Sequence, residues 1–116
     1  RCPTGEARIT PGFGLPAEYV IHTVGPIYQD ASRSSPFLVA AYSSCLKLAR
    51  DRGIQSIAFP AISCGVYGYP LVEAARIAMQ TCEPYVGCFE EIRFVLFSDR
   101  VRTAWESVSD QSRLGA

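Results

Sequence analysis

Ile54-Gln55-Ser56-Ile57-Ala58-Phe59-Pro60, then Ser63-Cys64-Gly65-Val66-Tyr67-Gly68-Tyr69, then Pro70, is the stretch that decides the fold. The first run, with Ser56-Ile57-Ala58-Phe59 at its centre, reads as a buried strand. Pro70 starts a helix in which Leu71, Ala74, Ala75, Ala78, Met79 and Cys82 recur at helical spacing as one apolar stripe. A glycine loop joins the two. Strand, loop and helix in this order make half of a parallel βα unit.

Outward from this unit the alternation continues. Upstream, Leu38, Tyr42, Cys45, Leu48 and Ala49 mark a helix that Ser35 caps, Pro36 opens and Gly53 closes. Before it, Tyr19-Val20-Ile21-His22-Thr23-Val24 is a β-branched and aromatic run stopped by Gly25-Pro26. It is expected to be an interior strand, with His22 as a core histidine. Glu6 to Thr10 alternates polar and apolar and ends at Pro11-Gly12, a short strand and turn. Downstream, Ile92 to Phe97 is the last strand, and Asp99 caps a helix with Val101, Ala104, Trp105 and Val108 inward. The pattern predicts an α/β fold, a three-layer α/β/α sandwich over residues 1–111, with 112–116 as a tail. Strands are expected near 6–10, 19–24, 55–60 and 92–97, the last three sharing one sheet.

Composition excludes other classes. A chain of 116 residues with 48% hydrophobic and 19% charged residues is one globular domain, not a disordered, collagenous or coiled-coil one. Eleven basic and eleven acidic residues cancel, so no basic field exists to capture nucleic acid, and no DNA partner is expected. Five cysteines, an odd number without CxxC spacing, and a single histidine argue against a disulfide scaffold and against a metal site. Free thiols predict a reducing, cytoplasmic setting. No run reaches the roughly 18 apolar residues of a membrane span, so no membrane partner is expected. The chain begins Arg1-Cys2 rather than with Met, which suggests a lost or removed upstream segment.

In a parallel α/β sheet, ligands sit beyond the carboxyl ends of the strands, which is where residues 63–69 fall. Glycines at 65 and 68 let backbone N–H groups turn inward, and the following helix start adds partial positive charge: a cradle for phosphate. The alternative is that these glycines only turn a tight βα corner. The loop has no Lys or Arg, which rejects a Walker A loop, and it lacks the third glycine and downstream acid of the dinucleotide fingerprint. Cys64 as a phosphatase nucleophile would need Arg six residues on, where Pro70 stands. Tyr67 stands in a loop that must face solvent or ligand. Phe97, at the end of the last strand, is placed either to stack on a ring or to join the core.

Cys2-Pro3-Thr4-Gly5-Glu6-Ala7, Gly12 to Pro16, Tyr19 to Pro26 and, above all, Phe59-Pro60-Ala61-Ile62-Ser63-Cys64-Gly65-Val66-Tyr67-Gly68-Tyr69-Pro70 resemble the macrodomain family. The likeness runs from Cys2 to about Phe97 and is closest to the branch of O-acetyl-ADP-ribose deacetylases and mono-ADP-ribosylhydrolases. Cys64 stands where the family usually has Thr. The resemblance implies that Ser63, Cys64, Gly65, Val66 and Tyr67 wrap the diphosphate and distal ribose of ADP-ribose. It implies that Tyr67 flanks the scissile ester as the candidate catalytic residue, and that Phe97 sits beside the adenine. No cofactor is implied. The implied partners are ADP-ribose, O-acetyl-ADP-ribose and ADP-ribosylated protein. The family's first loop, rich in Asn, Gly and Asp, has no counterpart here. The resemblance therefore implies the C-terminal two-thirds of the fold with an N-terminally truncated sheet. Ester hydrolysis is expected where that loop is supplied; the alternatives are a non-catalytic reader or a partial domain acting in assembly. A sheet so truncated is expected to be covered by a second copy or by the missing segment.

Overall fold

A computed structural model describes residues 2–115, and side chains as far as Asp110. In chain order the elements are β1 (Ala7–Pro11), β2 (Tyr19–Thr23), α1 (Ala31–Asp51), β3 (Ser56–Phe59), α2 (Leu71–Cys82), β4 (Glu91–Phe94) and α3 (Asp99–Gly115). A 3-10 segment, Glu83–Cys88, follows α2. The α/β class is as expected, and each strand falls within a residue or so of its expected start. β4 is shorter than expected: it ends at Phe94, so Phe97 lies on the connection to α3. α3 runs through most of the stretch expected as a tail, and Ala116 lies outside the described residues.

The start of α1 differs from the expectation. It begins at Ala31, with Asp30 in extended conformation as the cap, its carboxylate accepting from the Arg33 N–H at 2.9 Å. Ser35-Pro36 lies inside the helix. Asp30 offers the orphan amides a full negative charge, which an uncharged serine hydroxyl does not. Proline at 36 leaves only the Ser32 carbonyl without its i+4 donor, a loss near the helix start that the chain tolerates. The C-terminus is as expected. Gly53 (φ +70) donates to the Arg50 carbonyl and Ile54 to the Ala49 carbonyl, both at 3.0 Å, a Schellman closure.

The sheet also differs. β2, β3 and β4 do not share a sheet: β1 pairs antiparallel with β2, and β3 pairs parallel with β4, as two separate pairs. Between β2 and β3 lies an open cleft of about 1180 Å³, lined by residues 16–23 and 52–63 with Cys45 of α1 among them. No strand of the described chain fills it, so β2 and β3 each keep a free edge. His22 corrects another expectation. It is exposed rather than in the core, its Nε2 3.0 Å from the Thr10 hydroxyl on the outer face of the β1–β2 pair.

The core lies on the other face. Phe59 and Phe94 are register partners, so their rings point the same way, stacked at 5.9 Å. Tyr42 of α1 packs edge-on to both, at 5.1 and 6.2 Å, and Trp105 of α3 lies 5.9 Å from Phe94. α1 and α3 therefore cover the same face of β3–β4. α2 contributes Ala74, Ala75, Ala78 and Cys82 to the same buried cluster. Ser56, Ala58, Glu91 and Arg93 point outward, where an exposed Arg93–Glu91 ion pair at 3.0 Å lies on the opposite side.

Candidate functional site

The parallel pairing of β3 with β4 sends both following connections out of the same sheet end, pinned where the Val95 N–H meets the Phe59 carbonyl at 2.8 Å. The loop after β3 is supported from below by Tyr42. Its buried hydroxyl accepts from the Ile62 N–H at 3.2 Å and donates to the Pro60 carbonyl at 3.4 Å. The loop then folds on itself: Cys64 N–H to the Ala61 carbonyl, Gly68 N–H to that of Gly65, and Tyr69 N–H to that of Ser63, at 2.9 to 3.2 Å.

A second segment, residues 25–28, straps this loop from the side. The Ser63 hydroxyl donates to the Pro26 carbonyl at 2.7 Å, and the Tyr28 N–H donates to the Tyr67 carbonyl at 2.9 Å. The Tyr28 ring meets Tyr69 edge-on at 4.8 Å. Gly25 lies so close that a Cβ there would stand 2.4 Å from both the Ile62 Cγ2 and the Ser63 Oγ. Ser63 itself has φ +66, a left-handed conformation unusual outside glycine, held by the hydroxyl bond to Pro26.

What the strap and the turns leave over is three consecutive N–H groups. Those of Gly65, Val66 and Tyr67 donate to no group among the described residues. Val66 is fully exposed, Gly65 and Tyr67 are exposed, and nothing lies within 4 Å of a Cβ built on Gly65. Successive unpaired amides beside open space form a concavity that suits anionic oxygens. α2 starts immediately after, and its positive end adds to the field, although Glu73 in its first turn offsets part of it.

The expected site residues divide accordingly. Ser63 shapes the loop through its hydroxyl, and the Cys64 amide is committed to the Ala61 carbonyl, so the run of consecutive free donors is at 65–67. The Cys64 thiol is half-buried, 3.5 Å from the Ile62 carbonyl, and burial pushes it up to about 11. It is protonated at neutral pH, a poor nucleophile. Phe97 is 89% exposed, at the same sheet end, without a hydrogen bond or ring contact to the loop. Among the described residues no group of three or more His, Cys, Asp or Glu gathers in metal-binding fashion, and no helix is long and apolar enough to cross a membrane. Sequence reading missed the strap and the Tyr42 hydroxyl. Gly25-Pro26 followed by Tyr28 was the available signal, and it marks a strand end equally well.

Comparison with known proteins places this loop in a wider context. The family model described as Macro domain matches residues 1–78. Macro domain-containing protein VPA0103 of Vibrio parahaemolyticus is 47% identical over 111 residues, which cover 96% of this chain and 65% of that protein. Among solved structures, an Oceanobacillus iheyensis macrodomain with ADP superposes with a TM-score of 0.89 at 39% identity, covering 98% of this chain and 62% of the other. A Trypanosoma brucei macrodomain in complex with ADP-ribose gives 0.83 at 39% identity, covering 93% and 47%. The chain thus spans about two-thirds or less of the length of these relatives.

Proposed function

The chain belongs to the Macro domain family, and from that premise we propose that residues 63–67 bind ADP-ribose, with its diphosphate on the amides of Gly65, Val66 and Tyr67. The observation that carries this reading is the row of three unpaired N–H groups on exposed residues, in a loop bonded to the 25–28 strap. A diphosphate presents several anionic oxygens, and three backbone donors take them without a lysine or arginine. Tyr67 lies at the end of this row, beside the distal ribose, and Phe97 offers its exposed ring to the adenine from the same sheet end.

Titration calorimetry with ADP-ribose tests the reading. Gly65→Glu places its Cβ in open space and sets a carboxylate over the cradle. Affinity should fall about ten-fold or more. Unchanged affinity in a folded Gly65→Glu protein overturns the assignment.

The finer reading is hydrolysis of ADP-ribose esters, either deacetylation of O-acetyl-ADP-ribose or release of mono-ADP-ribose from protein. We assign it to a protein in which a further loop completes the site. The described residues favour binding over turnover: Cys64 is protonated, and His22 is engaged by Thr10 on an exposed sheet face. On this reading Tyr67 orients the ribose rather than acting as a base. The free thiols support a reducing, cytoplasmic location for this activity.

A further inference from the structure

The thiols of Cys2 and Cys45, 43 residues apart in the chain, meet at one side chain, Thr23 of β2. The Thr23 hydroxyl donates to the Glu6 carbonyl at 2.7 Å, and the Cys2 thiol donates to the same oxygen at 3.2 Å. The Cys45 thiol, on the buried side of α1, makes a hydrogen bond with the Thr23 side chain. One hydroxyl and one carbonyl oxygen therefore stand between the two sulfurs. The backbone beside them is held in place. The Ser44 hydroxyl donates to the Gly5 carbonyl at 2.7 Å, and a Cβ on Gly5 would lie 3.0 Å from the Ala40 Cβ, so the turn at 2–6 sits directly on α1. The Gly5 N–H in turn donates to the Val24 carbonyl at 2.9 Å, one residue before the strap at 25–28. Access separates the two thiols: Cys45 is buried, whereas Cys2 is half-buried and open to a small reagent.

We propose that Cys2 and Cys45 form a redox clasp, a reversible disulfide that ties the turn at 2–6 to α1 and so fixes the foot of the strap. Its oxidant is a low-molecular-weight disulfide such as that of glutathione. The Cys2 thiolate attacks one sulfur of that disulfide. A mixed disulfide forms at Cys2, and the first small thiol leaves with the electron pair of the broken S–S bond. The Cys45 sulfur gives up its proton and attacks the Cys2 sulfur, which closes the internal S–S bond and releases the second small thiol. Two protein thiols are thus oxidised as one disulfide is reduced to two thiols, and their protons pass to the departing sulfurs. Burial pushes the Cys45 thiol up to about 11, which suits the second step, where the attacked sulfur is already beside it, rather than the first. With both thiols free the clasp stands open. Closing it constrains the unfolded chain over a long loop and anchors Gly5, whose N–H holds Val24.

The test equilibrates the 116-residue chain in glutathione buffers of rising oxidised fraction, blocks the remaining free thiols and digests the unreduced protein with trypsin. Cleavage after Arg and Lys puts Cys2 in Cys2–Arg8, Cys45 in Ser34–Lys47 and Cys64 in Gly53–Arg76, with Cys82 and Cys88 together in Ile77–Arg93. Mass spectrometry should find Cys2–Arg8 joined to Ser34–Lys47, and both should return to their free forms in excess reduced glutathione. The clasped protein should melt several degrees above the reduced one, and its Gly5 N–H should exchange about ten-fold more slowly. Cys2→Ser should abolish the joined peptide and both effects, whereas Cys88→Ser, at an exposed thiol, should leave all three. Should Cys2→Ser fail to fold, the comparison of oxidised and reduced unmodified protein decides. Cys2 held as its glutathione adduct with Cys45 free at every ratio overturns the proposal, as does Cys2 joined to Cys88 or to the Cys2 of a second molecule. A joined pair without slower exchange at Gly5 overturns the role at the strap. None of these readouts involves ADP-ribose, so they stand apart from the test at Gly65.

Discussion

Tyr42 joins the core to the loop through a single oxygen. Its ring is wholly buried against Phe59 and Phe94, and its hydroxyl takes the Ile62 N–H and gives its proton to the Pro60 carbonyl. Tyr42→Phe keeps the packing but orphans a buried amide, which costs about 1–3 kcal/mol. Chemical denaturation should show that loss with little change in the steepness of the transition; an unaltered midpoint would mean that water replaces the hydroxyl. Gly25 acts by the absence of a side chain. A Cβ would meet Ile62 and Ser63 at 2.4 Å, too close to relieve without moving the loop. Gly25→Ala should therefore weaken ADP-ribose binding more than it lowers the melting temperature, because the displaced residue, Ser63, leads directly into the row of free amides. Equal binding by the folded variant would show that the strap does not govern the cradle.

At the scale of elements, the closure of α1 is testable by itself. Gly53 occupies φ +70 with open space around it. Gly53→Ala meets no clash and still loses about 1 kcal/mol, because alanine resists the left-handed conformation; a neutral result in thermal melts would contradict the Schellman reading. This end of α1 was legible in the sequence because glycine there has one strong meaning. The start was not: Ser35-Pro36 reads as a helix opening, whereas the structure opens the helix earlier, at the Asp30 cap. The glycine loop was legible, as strand, loop and helix carry separate local signals. The strap was not: Gly25-Pro26 ends a strand visibly, but what lies against Gly25 is 37 and 38 residues further along, at Ile62 and Ser63. The same reason explains the sheet. Periodicity identifies β2 and β3 as strands but carries no information about which edges meet. It likewise placed His22 in a core, because an apolar run does not tell whether its second face is covered.

For the whole molecule, the formal charge of zero at neutral pH leaves long-range repulsion with little part in stability. The groups whose protonation matters lie inside. Burial pushes Cys45 up to about 11, Cys64 up to about 11 and Cys82 up to about 12, and raises Tyr42 well beyond its ordinary range. They belong to α1, the loop and α2, and all four pack in or against the one core. In the unfolded chain a thiol titrates near 9. Below that pH both states hold these protons, and the stabilisation is fully present. Above it the unfolded chain releases protons that the folded chain retains, so each step in alkalinity favours unfolding until the folded thiols also ionise at about 11 to 12. Asp30 has the opposite sense: its carboxyl is lowered by the Arg33 N–H and the Ser32 hydroxyl, and its contribution disappears only in acid. The urea midpoint should consequently be level between about pH 6 and 8 and fall steadily from about pH 9 to 11. Cys45→Ala combined with Cys82→Ala begins from lower stability, since two buried groups are lost, but should show a shallower alkaline decline. A parent protein whose midpoint holds through pH 10, or a double variant that declines as steeply, would locate the alkaline sensitivity outside the buried thiols.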